Sequence, residues 1–207
     1  MARSLDYNII ATGSTGNAVR IRDIMIDCGV SFARMRDDLY KVDTLLITHS
    51  HSDHIHPATL RSIRKEFPRI KVYGNAHVAY QYKVDQVIGK AKVILPKNRI
   101  IYPMEGLHDV PVTYFYILFG KTTILYATDT CKVENPRDLA LDFVFLESNY
   151  DERKLKELAK EYEHRGYDPA KSSLRHLSCQ KCKEFYYVNR RDETSKLIEL
   201  HQSSRFY

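Results

Sequence analysis

The sequence has no long hydrophobic run. None of its 207 residues lies in a segment that approaches the ~18 uninterrupted apolar residues of a membrane-spanning helix. The opening segment MARSLDYNIIATGSTGN also lacks the apolar stretch and the small-residue cleavage site of an export signal. We therefore expect no membrane partner and a cytoplasmic location.

Cysteines are also scarce. The four of them are too few for a disulfide scaffold in a chain of this length. Cys179 and Cys182 form a C-x-x-C pair, but a structural zinc site of this kind needs a second pair at suitable spacing, which the sequence lacks. We predict free or buried thiols at Cys28, Cys131, Cys179 and Cys182.

The composition is that of an ordinary globular protein, with 43% hydrophobic and 28% charged residues. A chain of 207 residues is long enough to bury a large core, so we expect a single domain over residues 1–207. The net charge of +6 and the pI near 9.0 favour polyanionic partners such as nucleic acid, or anionic small substrates.

Short apolar runs rich in β-branched residues alternate with turns and with helical patterns, which is typical of the α/β class. The predicted strands are the runs YNII, AVRI, IMID, TLLITH, KVYGN, KVIL, VTYFYILF, TTILYATD, LDFVFLESN and SKLIELH. Helices are predicted over residues 31–40, 57–67, 76–88, 152–165 and 178–189. The polar segment Glu163–Ser173 is predicted to be a loop, either a mobile connection or a lid that faces substrate.

Ligand-type side chains are concentrated in LLITHSHSDHIHP, directly after an apolar run. Neutral imidazole and carboxylate groups are preferred ligands of zinc and similar ions. A loop that leaves a strand can direct such groups at one point, so His49, His51, Asp53 and His54 are candidate metal ligands. Three more ligand-type residues follow later strands, namely His108, Asp129 and His201. Seven ligands at successive strand ends suit a site with two metal ions.

The order of these motifs resembles the metallo-β-lactamase fold superfamily, in which THSHSDH matches the H-x-H-x-D-H motif. Within it, the segments ATGSTGN, IDCGVSF, LHDVPVTYFY, ESNYD, RHLS and LHQSSR are most similar to the YycJ, or WalJ, branch of exonuclease-like proteins. Ribonuclease Z and the cyclic-nucleotide phosphodiesterases are related branches. The resemblance implies an αββα sandwich of two mixed sheets flanked by helices.

The resemblance also implies the ligand sets. His49, His51 and His108 would hold one metal ion, and Asp53, His54 and His201 the second. Asp129 would bridge the two ions, and Asp27 would brace the first loop by hydrogen bonds. The ions would be divalent, with Zn²⁺ favoured and Mn²⁺ as an alternative.

His176 lies in RHLS, which resembles a turn that opens the last long helix in the phosphodiesterase branches. A histidine there is implicated in contacting the scissile phosphate or protonating the leaving group. This sequence departs from the pattern, because Arg175 replaces a usual glycine and Cys179 a common asparagine. We predict a catalytic role for His176, with a structural role at the start of the helix beside Ser178 as the alternative. We also predict a catalytic role for Asp53, which can orient water while it binds metal.

The leading hypothesis is a dinuclear phosphodiesterase that acts on nucleic acid, with DNA favoured, as an exonuclease does. The alternatives are a hydrolase of cyclic nucleotides or other small phosphodiesters, a lactone or thioester hydrolase, and an inactive binding protein of the same fold. A homodimer is compatible with the sequence. Tyr114, Tyr116, Tyr186 and Tyr187 can stack on bases, although packing is the commoner role of such tyrosines. The GSTGN turn is either a donor of hydrogen bonds to substrate or only a tight turn.

Overall fold

The described part of the chain forms two mixed β-sheets of six strands each, with helices flanking them. The computed structural model describes residues 4–162, 173–203 and 207. The chain forms two compact units, Ser4–Ala91 and Lys92–Tyr207, which we call the N-terminal and C-terminal units. The expectation of two mixed sheets with flanking helices is confirmed, and the expectation of one domain over residues 1–207 stays a prediction.

The sheet of the N-terminal unit has its strands in sequence order. They are β1 (Tyr7–Ala11), β2 (Ala18–Ile21), β3 (Ile24–Ile26), β4 (Thr44–Ile47), β5 (Lys71–Gly74) and β6 (Gln86–Val87). The first three pair antiparallel, and β3 to β6 pair parallel. Strands β2, β3 and β4 are buried along their whole length. The sequences of β3 and β4 are the near-continuous apolar runs expected of strands that pair parallel.

Three helices accompany this sheet, α1 (Phe32–Leu39), α2 (Pro57–Glu66) and α3 (Ala76–Gln81). Pro57 occupies the first turn of α2, where its missing N–H costs no helical hydrogen bond. Met35 and Leu39 of α1, four residues apart, share a core cluster with the buried Leu60 and Ile63 of α2. Burial of these apolar faces stabilises the unit and fixes where the loops after β3 and β4 emerge.

The sheet of the C-terminal unit has the order β12-β11-β10-β9-β8-β7. Its strands are β7 (Val93–Leu95), β8 (Arg99–Glu105), β9 (Thr113–Phe119), β10 (Thr122–Ala127), β11 (Phe143–Glu147) and β12 (Lys196–Leu200). Gly120, with a left-handed φ of 61°, makes the tight turn of the β9–β10 hairpin. Strands β10, β11 and β12 run parallel, so their carboxyl ends meet at one edge of the sheet.

The C-terminal unit also contains α4 (Glu152–Tyr162) and, after Ser178, the helix that we call α5 (Cys179–Asn189). Ser178 caps α5 by accepting a hydrogen bond from the backbone N–H of Lys181. Tyr114, Tyr116 and Tyr186 are buried in the core beside α5 and therefore act as packing residues, whereas Tyr187 is exposed. The predicted loop over 163–173 and the end of the helix predicted over 152–165 fall, except for Ser173, outside the described residues.

The helix predicted over residues 76–88 is wrong in its second half. It ends at Gln81, because Tyr82 is extended, with φ of −132° and ψ of 145°. The Asp85 carboxylate and backbone N–H then bond to the N–H and carbonyl of Val72, which returns the chain to the sheet as β6. Tertiary pairing overrides the apolar pattern of this segment.

Strand β8 was not among the predicted strands, and its sequence RIIYPME contains Pro103, a residue that disfavours a central strand. In the structure, β7 pairs only with residues 99–101 of β8. Pro103 therefore lies where β8 has one hydrogen-bonded neighbour, β9, and its missing N–H leaves no gap in the ladder on the other side.

All four cysteines are free, as predicted. Burial raises the pKa of Cys179 and raises that of Cys182 to about 12. Both thiols are therefore protonated near neutral pH and poor metal ligands. No cysteine belongs to a metal-ligating cluster among the described residues.

Within the described part of the chain, no helix is both long and apolar enough to cross a membrane.

Candidate functional site

The loop after β4 holds one group of candidate ligands, in the N-terminal unit. Strand β4 is fully buried and delivers Thr48, His49 and the residues up to His54 to the carboxyl end of the sheet. The Nε2 of His49 lies 3.0 Å from the Nδ1 of His51. The rings of His49 and His54 have centroids 4.0 Å apart. The loop therefore directs these predicted ligands at one another, as the motif spacing suggests.

Asp27, at the end of β3, braces this loop. Its carboxylate is completely buried and accepts a hydrogen bond of 2.8 Å from the Thr48 backbone N–H. The Oδ2 of Asp27 is 2.7 Å from the Nδ1 of His54. Burial raises the pKa of the Asp27 carboxyl, while the hydrogen bonds from His54 and Thr48 act to lower it. The predicted bracing role of Asp27 is confirmed, and it orients His54 with Nε2 as the outward nitrogen.

The GSTGN turn contacts the same loop through Asn17. The backbone N–H of Asn17 donates to the Asp53 carbonyl at 2.7 Å, and its side-chain nitrogen lies 2.8 Å from the Nε2 of His54. Gly29 allows the backbone of Asp53 to pack closely against it, because a Cβ at position 29 would lie 1.7 Å from the Asp53 carbonyl oxygen. Of the two interpretations of the turn, these contacts favour a structural one, in which it fixes Asp53 and His54.

A second group of candidate ligands lies in the C-terminal unit, at the carboxyl ends of β10, β11 and β12. Asp129 follows β10, Glu147 is the last residue of β11, and His201 follows β12. Because the three strands are parallel neighbours in register, their ends bring these side chains together. Ligand atoms of Asp129, Glu147, His176 and His201 all lie within 4.8 Å of one another.

Glu147 is the residue that sequence reasoning missed. Its carboxylate is fully buried. One oxygen, Oε1, lies 2.6 Å from the Nδ1 of His176 and 2.9 Å from the Nδ1 of His201. The other, Oε2, accepts the backbone N–H of Thr130 at 3.1 Å. A carboxylate only accepts, so each histidine donates from Nδ1 and presents Nε2 to the site.

His108 lies next to this cluster. Its ring centroid is 5.4 Å from that of His176. Asp109 links the two segments, because its Oδ1 is 3.1 Å from the Nε2 of His108 and its Oδ2 is 2.7 Å from the Nη1 of Arg175. Arg175 replaces the usual glycine, and its backbone is not left-handed, so this position does not require glycine. It instead ties the His176 turn to the His108 loop.

The backbone at the strand ends is unusual. Asp27, Asp129 and His201 have left-handed φ values of 62°, 55° and 53°. Such conformations are uncommon for residues other than glycine and cluster at functional sites. Asp27 and His201 directly follow β3 and β12, and Asp129 lies two residues after β10, so in each unit the unusual backbone lies at the end of a parallel strand.

The donor set fits divalent metal ions. Two ligands of a tetrahedral ion at ~2.0–2.1 Å lie about 3.3–3.4 Å apart. The distance from His54 Nε2 to Asp53 Oδ2 is 3.6 Å, and that from His201 Nε2 to Asp129 Oδ1 is 3.7 Å. Metal-binding histidines also usually donate their other nitrogen to a carboxylate. His54 with Asp27 and His201 with Glu147 both have this arrangement.

A sequence model of the beta-lactamase superfamily domain matches residues 22–166, which is more than half of the chain. The chain belongs to this superfamily. Members of the superfamily are generally metal-dependent hydrolases. The His and Asp clusters of this chain have ligand atoms close enough together to hold a metal ion.

Solved structures show the same metallo-β-lactamase fold. The metallo-beta-lactamase fold protein YhfI from Bacillus subtilis has a TM-score of 0.71 and 15% identity, covering 96% of this chain and 86% of that one. The short form of human tRNase Z has a TM-score of 0.69 and 17% identity, covering 96% and 93%. A diphosphatase from the PhnP family has a TM-score of 0.68 and 15% identity, covering 100% and 89%. The predicted fold is confirmed.

A curated relative is similar over a shorter segment. Exodeoxyribonuclease WalJ of Streptococcus pneumoniae is 36% identical over 61 residues, covering 24% of this chain. The match spans only 23% of the length of that relative. It supports membership of the superfamily.

The structure brings the predicted residues together in two groups. His49, His51, Asp53 and His54 are neighbours in the N-terminal unit, and His108, Asp129, His176 and His201 in the C-terminal unit. Their division into two ligand sets stays a prediction. The signal that would have found Glu147 is a charged residue closing a wholly buried apolar run, FVFLE, between two strands that also end in ligand-type residues.

Proposed function

We propose that this protein is a dinuclear metal-dependent phosphodiesterase that acts on nucleic acid, in the manner of a DNA exonuclease. The observation that carries the proposal is the arrangement around Glu147, whose one carboxylate oxygen orients both His176 and His201. His201 is then suited to bind metal, and His176, which is 17% exposed at its side chain, to act on substrate.

The proposed ligand sets follow the superfamily motif. His49, His51 and His108 would hold one ion, Asp53, His54 and His201 would hold the other, and Asp129 would be shared. Zn²⁺ is the favoured ion and Mn²⁺ the alternative, since imidazole and carboxylate ligands suit both. When bound, two such ions supply an activated water and stabilise the attacking and leaving oxygens at phosphorus.

Asp53 is proposed to orient the attacking water. Its backbone carbonyl accepts the N–H of Asn17, so the position of the residue is fixed by the chain and not by its own side chain. The carboxylate, which is 26% exposed, remains available to orient the water that attacks phosphorus. A fixed carboxylate of this kind reduces the cost of aligning that water.

His176 acts as the general acid. Its Nδ1 donates to Glu147, so the proton that reaches the leaving oxygen comes from Nε2. Glu147 holds the ring in that orientation and stabilises its positive charge before transfer. The Ser178 cap of α5 and the Arg175–Asp109 ion pair fix the turn on either side.

Nucleic acid is the proposed substrate for two reasons. The net charge of +6 favours a polyanion, and two similar proteins, exodeoxyribonuclease WalJ and tRNase Z, are nucleases by name. A small phosphate ester is the second candidate, because the diphosphatase of the PhnP family covers the whole of this chain.

A hydrolysis panel on protein reconstituted with Zn²⁺ or Mn²⁺ tests the proposal. It contains single- and double-stranded DNA, RNA, cyclic mononucleotides, bis-p-nitrophenyl phosphate and the β-lactam nitrocefin. We expect cleavage of phosphodiesters, with mononucleotides released from DNA ends, and no turnover of nitrocefin.

Turnover of nitrocefin with every phosphodiester intact would contradict the proposal. Cleavage of cyclic mononucleotides with no cleavage of DNA or RNA would instead favour the small-substrate candidate. The unreconstituted protein, treated with a chelator, is the control for a contaminating nuclease.

A further inference from the structure

The C-terminal unit contains a cavity of about 640 Å³, a volume typical of pockets that take small ligands. Its wall is largely apolar. The apolar side chains are Leu107, Val133, Leu174, Leu177, Phe185 and Val188.

The cavity lies beside the candidate catalytic residues of the same unit. Leu107 precedes His108 and Leu177 follows His176 in the chain, and the Cα atoms of such neighbours are about 3.8 Å apart. The backbone N–H of Leu107 donates to the Oγ1 of Thr130 at 2.9 Å, which ties the His108 loop to the loop after β10. A substrate whose phosphate contacts His176 can therefore place its adjacent group in the cavity.

Part of the apolar wall is exposed to solvent. Leu107 is 59% exposed, Leu174 60% and Val188 77%. Exposed apolar side chains that gather around one concavity mark a binding site more often than scattered ones do. The wall contributed by α5 is one face of the helix, because Lys181, Phe185 and Val188 are spaced by four and three residues.

The charged residues of the cavity indicate the kind of ligand. The lining has three charged residues, Lys132, Lys181 and Glu184. Lys132 forms an ion pair with Glu134, so Lys181 supplies the ammonium group that borders the apolar and aromatic interior and can contact a phosphate. A nucleotide matches this arrangement, since its base presents a flat π-face to Phe185 and its phosphates are anionic. A purely aliphatic ligand would offer no charge that complements Lys181.

We propose that this cavity binds the base of the nucleotide whose phosphate is attacked, so that it serves as a base-binding subsite. The inference rests on the proposed phosphodiesterase function for the placement of the phosphate. The subsite recognises an aromatic base and its anionic phosphate, whether these belong to a strand end or to a free mononucleotide.

Binding experiments with matched ligands and variants test the subsite. Titration calorimetry compares deoxyadenosine 5′-monophosphate with 2-deoxyribose 5-phosphate, which lacks only the base. We expect the nucleotide to bind about 5- to 150-fold more tightly, the range that one stacked base provides. Val188→Ser and Leu174→Ser should each lose most of this preference. Ile94→Ser, at an equally exposed position away from the cavity, should retain it.

Hydrolysis rates separate the two sources of the base. On single-stranded oligonucleotides that differ only in an abasic terminal sugar, the wild-type protein should show a base preference in kcat/KM if strand ends are bound. A preference seen only with free mononucleotides would support the subsite for those ligands. Both variants replace exposed side chains, so the folded state should persist, which circular dichroism checks.

Several outcomes would overturn the subsite. Equal affinity for the nucleotide and the sugar phosphate is one. Octyl phosphate binding as tightly as the nucleotide would assign the cavity to an aliphatic group. A dimer that Val188→Ser converts to monomers, with base preference unchanged, would assign it to a second copy of the chain. Phosphodiester cleavage without base preference would defeat this inference alone, and base preference without cleavage would defeat only the proposed function.

Discussion

Replacement of Asp129 by asparagine is expected to reduce bound metal and to lower kcat for phosphodiester hydrolysis by about 10³-fold or more. Asparagine keeps the shape of the side chain and tolerates the left-handed backbone at this position, where φ is 55°. The change therefore removes mainly the negative charge of the proposed bridging ligand. Metal is measured by elemental analysis and kcat with bis-p-nitrophenyl phosphate.

The matched control is Asp138→Asn. Asp138 also has a left-handed φ, of 48°, but is exposed and outside both groups of candidate ligands. It should keep metal and activity. His54→Ala should behave as Asp129→Asn does, with the exposed His56→Ala as its control. Full metal content and activity in Asp129→Asn would show that this carboxylate is no ligand.

The second large effect is expected at His176. His176→Ala should lower kcat by about 10²- to 10⁴-fold while metal content stays at the wild-type value, because general acids contribute that much to rate. The loss should be smaller on a p-nitrophenyl ester than on an ordinary nucleotide ester, since p-nitrophenolate needs little protonation to leave.

Equal losses on the two esters would mean that His176 positions substrate and transfers no proton. Loss of a metal ion in His176→Ala would make it a ligand and would leave His201 as the spare histidine. Glu147→Gln separates these roles further. It disturbs both histidines, so we expect a 10- to 100-fold loss of metal affinity that His176→Ala does not show.

The sequence predicts the elements whose signals are local. The run AVRI is strand β2 to the residue, and the turn after VTYFYILF closes a hairpin at Gly120. The histidine motif also follows a buried strand, as the apolar run before the motif predicts. In these segments periodicity, burial and turn chemistry agree, so local reasoning suffices.

The elements that escaped prediction depend on distant partners. Whether Pro103 can lie in β8 is decided by how far β7 extends alongside it. Where α3 ends is decided by the bonds between Asp85 and Val72 of β5. Glu147 gains its role only when β10, β11 and β12 pair in register and bring His176 and His201 to one carboxylate. None of these contacts can be predicted from the sequence of the segment alone.

The central claim, a site that binds two metal ions, is tested most directly by the number of ions that each chain carries. The measurement is elemental analysis of the wild-type protein after gentle reconstitution with Zn²⁺ or Mn²⁺ and removal of free metal. The predicted value is close to two per chain, because the proposed ligands exceed what one four-coordinate ion can use. One ion or fewer per chain would contradict the account.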